Sequence, residues 1–288
     1  MRKWLMLASL LFFIQGFGQD LAKVTIKPEK ILYKEVDTVK LYIHLFRPSD
    51  YDETQTYSAI MFIHGGGWVE GKSKAFYRQS MYFASRGMIT MSIDYRIKNV
   101  HGTTPFDATQ DVHDAYLFLL DHAKEWRIDK KKIVVGGGSA GGHLATTTVF
   151  WGKKTRKPLA LLLFNPVLDT SPTGFGNKYM EGRYMELSPI DNIVKNQPPS
   201  IILVGTKDKV LPVETAMKYK RLAEEKGSEC RVVLYDGQEH AFFSRKPVKY
   251  FVDTTEQCDY FLQELGVLVG SATIQQQYGE DNLEPDIF

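Results

Sequence analysis

Apolar residues fall into short runs rich in β-branched side chains at 40–46, 59–64, 88–94, 133–136, 159–165, 200–204 and 231–235. Several are apolar at nearly every position, the pattern of strands buried on both faces; half-exposed strands alternate instead. Longer stretches with helical character lie between them at 74–86, 105–124, 142–150, 213–226 and 250–265. Strands alternating with helices predict an α/β fold, a mostly parallel central sheet with helices on both faces. Segment 170–196 breaks the rhythm. It is rich in Gly, Pro, Tyr and Met and reads as a small cap insertion over the carboxyl edge of the sheet. Residues 270–288 form a polar, poorly periodic tail.

The chain opens with Arg2 and Lys3, runs apolar from 4 to 14, and reaches Gly16, Phe17 and Gly18. This is the pattern of a cleavable signal peptide over 1–18, and the apolar run is well short of the ~20 residues a transmembrane helix needs. The expectation is an exported protein, periplasmic or secreted, free of the membrane after leader cleavage and starting near Gln19. The remaining 19–288 fits one domain, since a single α/β domain can reach roughly 250 residues or more. With 36 Lys+Arg against 34 Asp+Glu and a net charge of +2, the chain has no electrostatic footprint for nucleic acid or an anionic membrane. Cys230 and Cys258 are too few and too far apart in sequence for a thiolate metal cluster. A single disulfide between them stays open.

Candidate chemistry starts at Gly137-Gly138-Ser139-Ala140-Gly141, a G-x-S-x-G placed between an apolar strand and a helix. A serine at such a turn projects outward while Gly137 and Gly141 let the backbone pack closely, and the helix N-terminus faces a developing oxyanion. Glycine-rich strand-to-helix turns also cradle phosphate, but the G-K-[ST] ending of that motif is missing here. A second run, His64-Gly65-Gly66-Gly67-Trp68, follows the strand at 59–64 and frees backbone N–H groups to meet negative charge on oxygen. The expected oxyanion donors are Gly66, Gly67 and Ala140.

A serine hydroxyl needs a base, and the base needs a carboxylate to orient it. His240 lies in the loop after the last predicted strand and is the leading base. His44, His113, His122, His143 and His64 sit within a strand, on a helix, just past the elbow or in the glycine loop, where packing or bracing roles fit better. Asp208, after the strand at 200–204, gives the chain order Ser, Asp, His. Asp169 and Glu214 are the alternatives.

These pieces together resemble the α/β-hydrolase superfamily, in the hormone-sensitive-lipase-like carboxylesterase group that carries an H-G-G-G loop. HGGGW at 64–68, GGSAGG at 137–142, GTKD at 205–208 and EHAF at 239–242 carry the likeness. DYR at 94–96 and HGTTPF at 101–106 are similar to exported bacterial esterases of acylated carbohydrates, of acetyl xylan type. The group often has H-G-F where this chain has His240-Ala241-Phe242, and Ala is small enough to keep the role. The resemblance implies an α/β-hydrolase fold and a serine esterase needing neither metal nor cofactor. A short acyl group on a sugar alcohol fits best, with Trp68, Tyr95 and Phe106 as substrate-binding aromatics. A lipase or general aliphatic carboxylesterase, an exopeptidase and a non-catalytic binding module are the other readings.

Overall fold

The computed structural model describes residues 27–152, 155–245 and 247–279. The expected leader and the end of the tail lie outside them. Among the described residues eight strands form one sheet: β1 (Glu29–Val36), β2 (Val39–Phe46), β3 (Tyr57–Ile63), β4 (Ile89–Ile93), β5 (Ile128–Gly138), β6 (Ala160–Phe164), β7 (Ser200–Gly205) and β8 (Cys230–Tyr235), in the order β1-β2-β4-β3-β5-β6-β7-β8. The β1–β2 and β2–β4 pairs are antiparallel. From β4 through β3 to β8 every pair is parallel. Strands β4, β6 and β7 are buried at every position. Continuous apolar runs follow from that double-sided burial.

Among the described residues seven helices accompany the sheet: α1 (Tyr77–Ser85), α2 (Lys98–His101), α3 (Pro105–His122), α4 (Ala140–Phe150), α5 (Val213–Glu225), α6 (Lys249–Glu264) and α7 (Ile274–Tyr278). Alternate side chains of the strands divide the interior into two cores. Met61, Ile63, Val135, Leu163 and Val204 point to the face covered by α3, α4 and α5. Ile60, Phe62, Val134, Leu162 and Leu203 point to the face covered by α1 and α6, where Tyr82, Phe83, Phe251, Phe261 and Ile274 join them. Helix α3 starts sharply because Thr104 and Asp107 cap each other reciprocally and Pro105 opens the first turn.

The first strand is a departure from the pattern read above, which began the sheet at 40–46. Strand β1 is a half-exposed edge with an alternating burial pattern and charged residues along it. It pairs with β2 through a tight turn at Asp37, whose φ is 52°, and Lys34 anchors it to Asp111 and Asp114 of α3 at 2.6 and 2.5 Å. The tail also contributes structure: α7 buries Ile274. Arg86 fastens this end of the chain to α1, donating from Nε to Asp259 Oδ2 at 2.7 Å and from Nη2 to the Gly270 carbonyl at 2.9 Å. Gln277 reaches back to Ser85 at 3.0 Å. The two cysteines are both free and buried, Cys230 on β8 and Cys258 on α6, so the disulfide left open above does not form. Burial pushes the Cys230 thiol up to about 11, which keeps it protonated and unreactive.

Candidate active site

Ser139 stands between β5 and α4 with φ 53° and ψ −122°, a conformation that a non-glycine residue holds only under constraint. The constraint is visible on both sides. Ser139 N–H donates to the Phe164 carbonyl at 2.9 Å, and the Ser139 carbonyl accepts from Val167 N–H at 3.1 Å. The flanking glycines are required by contact. A Cβ on Gly141 would lie 2.1 Å from the Ile63 carbonyl oxygen and 2.4 Å from that of His64, and one on Gly137 would lie 2.4 Å from the Gly141 oxygen.

His240 Nε2 lies 2.8 Å from Ser139 Oγ, and Nδ1 lies 2.8 Å from Asp208 Oδ2. The Asp208 side chain is fully buried, and its other oxygen accepts from the Val210 and Leu211 backbone N–H groups at 2.8 and 2.9 Å. Residues after β5, β7 and β8 thus meet at the carboxyl ends of parallel strands, where open α/β sheets place their sites. Two loops are stitched together to allow it. Lys207 N–H donates to the Gln238 carbonyl at 2.9 Å, and a Cβ on Gly205 would sit 2.1 Å from that same oxygen. Ala241 takes a left-handed φ of 63°, the kind of position where glycine is the relaxed choice. The alternative carboxylates lie elsewhere: Asp169 accepts from Ser171 N–H at 2.8 Å within its own turn, and Glu214 sits in the first turn of α5.

The glycine loop packs directly on the elbow, since a Cβ on Gly65 would be 3.2 Å from Ser139 Cβ. The carbonyls of His64, Gly65 and Gly66 are held by the protein. Tyr95 Oη donates to the His64 carbonyl at 2.9 Å, His64 Nδ1 donates to that of Gly65 at 2.8 Å, and Val69 N–H donates to that of Gly66 at 3.0 Å. Among the described residues, the N–H groups of Gly66 and Gly67 meet no backbone acceptor. Ala140 N–H opens α4 and has no acceptor within its helix. The three expected donors are therefore left without a backbone acceptor in the fold.

Two aromatic residues expected to bind substrate are instead structural. Trp68 is 1% exposed and Tyr95 is 3% exposed, leaving no ring face for a ligand. Trp68 packs edge-on to His143 and is capped by Gly176 of the 170–196 segment, where a Cβ would meet the indole at 2.6 Å. Tyr95 stacks on His64 with centroids 4.2 Å apart. Phe106 is half-buried, and the Arg183 guanidinium lies 4.1 Å over its ring. The residue that sequence reasoning missed is Asn165, after β6, whose amide touches the His240 ring. Its only signal is a polar side chain closing an apolar strand.

Burial holds two histidines around the site neutral, pushing His64 down to about 4 and His143 down to about 3. As pH falls below the ordinary histidine value, the unfolded chain binds protons that these rings refuse. Their contribution to stability is present above about pH 6.5 and is lost toward pH 4, by about 1.4 kcal/mol per unit for each ring. Urea titrations at pH 7 and pH 4.5 should show His143→Gln losing markedly less stability than the wild type over that interval. An equal loss in both would remove His143 as a source of acid lability.

The chain resembles known proteins over most of its described length. A family model described as BD-FAE matches residues 44–169. The structure of Thermogutta terrifontis esterase 2 phosphoramylated by tabun superposes with a TM-score of 0.80 at 35% identity, covering 85% of this chain and 97% of that one. The propionate-bound structure of the same thermophilic esterase gives a TM-score of 0.79 at 35% identity, over 85% and 97% of the two chains. The acylamino-acid-releasing enzyme of Arabidopsis thaliana is 30% identical over 210 residues, 63% of this chain. The chain spans only 27% of that relative's length.

Proposed function

This chain belongs to the hormone-sensitive-lipase-like serine esterases of the α/β-hydrolase superfamily, and from that premise we propose that it hydrolyses short-acyl esters, acetyl esters of carbohydrate alcohols foremost, through Ser139, His240 and Asp208. The observation that carries the reading is the unbroken relay of two 2.8 Å contacts from Ser139 through His240 to a fully buried Asp208.

In this mechanism His240 Nε2 takes the Ser139 proton as Oγ attacks the ester carbonyl. The oxyanion is held by the N–H groups of Gly66, Gly67 and Ala140, where each well-placed donor contributes roughly 3–4 kcal/mol to the transition state. Collapse breaks the bond to the alcohol, and the proton on Nε2 passes to the leaving oxygen. Water then loses a proton to the same nitrogen, attacks the acyl-enzyme, and Ser139 recovers its hydrogen as the acid departs. Asp208 holds the imidazole and offsets its positive charge throughout.

Support for a short acyl group comes from the similar esterase described with bound propionate. The carbohydrate alcohol rests on sequence likeness and on half-buried rings such as Phe106, Tyr179 and Tyr184 at the edge of the core. Export, with action on extracellular ester, is part of the same proposal. Initial rates on p-nitrophenyl esters from acetate to decanoate, beside acetate release from acetylated xylan, test it with Ser139→Ala as the blank. Rates should be highest from acetate to butyrate and the polymer should be deacetylated. Preference for the longest chains would make it an aliphatic carboxylesterase. Faster cleavage of an N-acetylated peptide than of any ester would favour the chemistry of the acylamino-acid-releasing relative.

A further inference from the structure

We propose that Asn165 is a positioning residue for His240, holding the imidazole in line with both its partners during both halves of the reaction. The inference rests on the assignment of His240 as the base. Asn165 follows β6, is fully buried, and places its amide Nδ2 at 3.2 Å from His240 Nδ1 and 3.3 Å from Nε2. An atom equidistant from the two ring nitrogens cannot lie along the in-plane direction of either. Those directions are taken by Asp208 and Ser139, each at 2.8 Å. The amide therefore rests across the ring and blocks it from tilting or turning away from the relay.

The surrounding backbone makes this support rigid. Asn165 N–H donates to the Leu203 carbonyl of β7 at 2.7 Å, and its neighbours Phe164 and Val167 clamp the Ser139 backbone at 2.9 and 3.1 Å. One short segment thus fixes the nucleophile through its main chain and the base through its side chain. The amide Oδ1 has no partner among the described residues. A buried acceptor left without a partner is costly, and a purely structural asparagine would be expected to satisfy both ends of its amide.

Asparagine also tolerates the positive φ of 37° found here, so a backbone role must be separated from contact with the ring. Glycine separates them, because it accepts that φ without strain and offers no amide. On p-nitrophenyl butyrate, Asn165→Gly should lower kcat by about tenfold to a hundredfold, the scale of a misplaced catalytic group. KM should hold, because acylation and deacylation both use His240 and slow together. Asn165→Asp supplies a second reading. A carboxylate beside the ring favours its charged form, so the acid limb of the kcat/KM profile should move to higher pH.

Far-UV circular dichroism and Tm establish that each variant is folded. Wild-type kinetics in Asn165→Gly, or a raised KM with kcat unchanged, would overturn the proposal. Should Asn165→Gly fail to fold, the Asn165→Asp profile decides alone, and a profile superimposed on the wild type would also overturn it. A wild-type enzyme with no Ser139-dependent turnover would instead strike the assignment of His240 itself.

Discussion

Replacing Ser139 with alanine should reduce kcat on p-nitrophenyl acetate by about a millionfold, to the residual rate that binding and the oxyanion hole supply alone, because the members of such a relay act as one unit. The exchange removes one oxygen. Alanine meets the same demand for a φ of 53° that serine meets, so the elbow and its clamps to Phe164 and Val167 stay in place. Circular dichroism and Tm should be those of the wild type. Turnover within about a thousandfold of wild type would exceed the residual catalysis that binding and an oxyanion hole supply alone, and would point to a different nucleophile.

Asp208→Asn should cost about four orders of magnitude in kcat near neutral pH, through the tautomer it imposes on His240. The backbone donors of Val210 and Leu211, at 2.8 and 2.9 Å, fix which way a new amide can point. Its oxygen must face them, so its NH2 faces His240 Nδ1. That nitrogen then has to accept, and the ring proton moves to Nε2, opposite Ser139 Oγ. A base already protonated on the working nitrogen cannot take the serine proton. The folded structure should persist, since both backbone donors keep an acceptor. Steady-state kinetics at pH 7, with Tm as the control for folding, check this. A loss of less than about tenfold would mean that Asp208 is not needed to set the tautomer.

The parts of the fold that announce themselves in sequence are those where one environment runs the length of an element. Strands β4, β6 and β7 are buried throughout and are apolar throughout. Strand β5 is longer than its apolar signal because Lys130, Lys131 and Lys132 are exposed along its middle. Strand β1 is an edge whose alternating, charged residues carry little apolar signal. Ser139, His240 and Asp208 are legible because strand-end chemistry leaves spacing and chain order behind. The roles of Trp68 and Tyr95 are not, because an aromatic residue beside a glycine loop reads alike whether it faces substrate or braces the loop from beneath. Only burial separates the two cases. Asn165 is invisible for a related reason: its contact is with a ring seventy-five positions away, and no local pattern encodes it.

The fastening of α1 to the end of the chain bears on how the protein is made. Arg86 and Ser85 find partners at Asp259 and Gln277, 173 and 192 positions later. Tyr82 and Phe83 share a core with Phe251, Phe261 and Ile274. At about 5–20 residues per second of synthesis, those later residues emerge roughly ten to forty seconds after α1 does. Throughout that interval this apolar face of the nascent sheet lacks the cover of α6 and α7. The chain therefore completes this face only once α6 and α7 have been made, and the half-made form is the one that needs shielding from its neighbours.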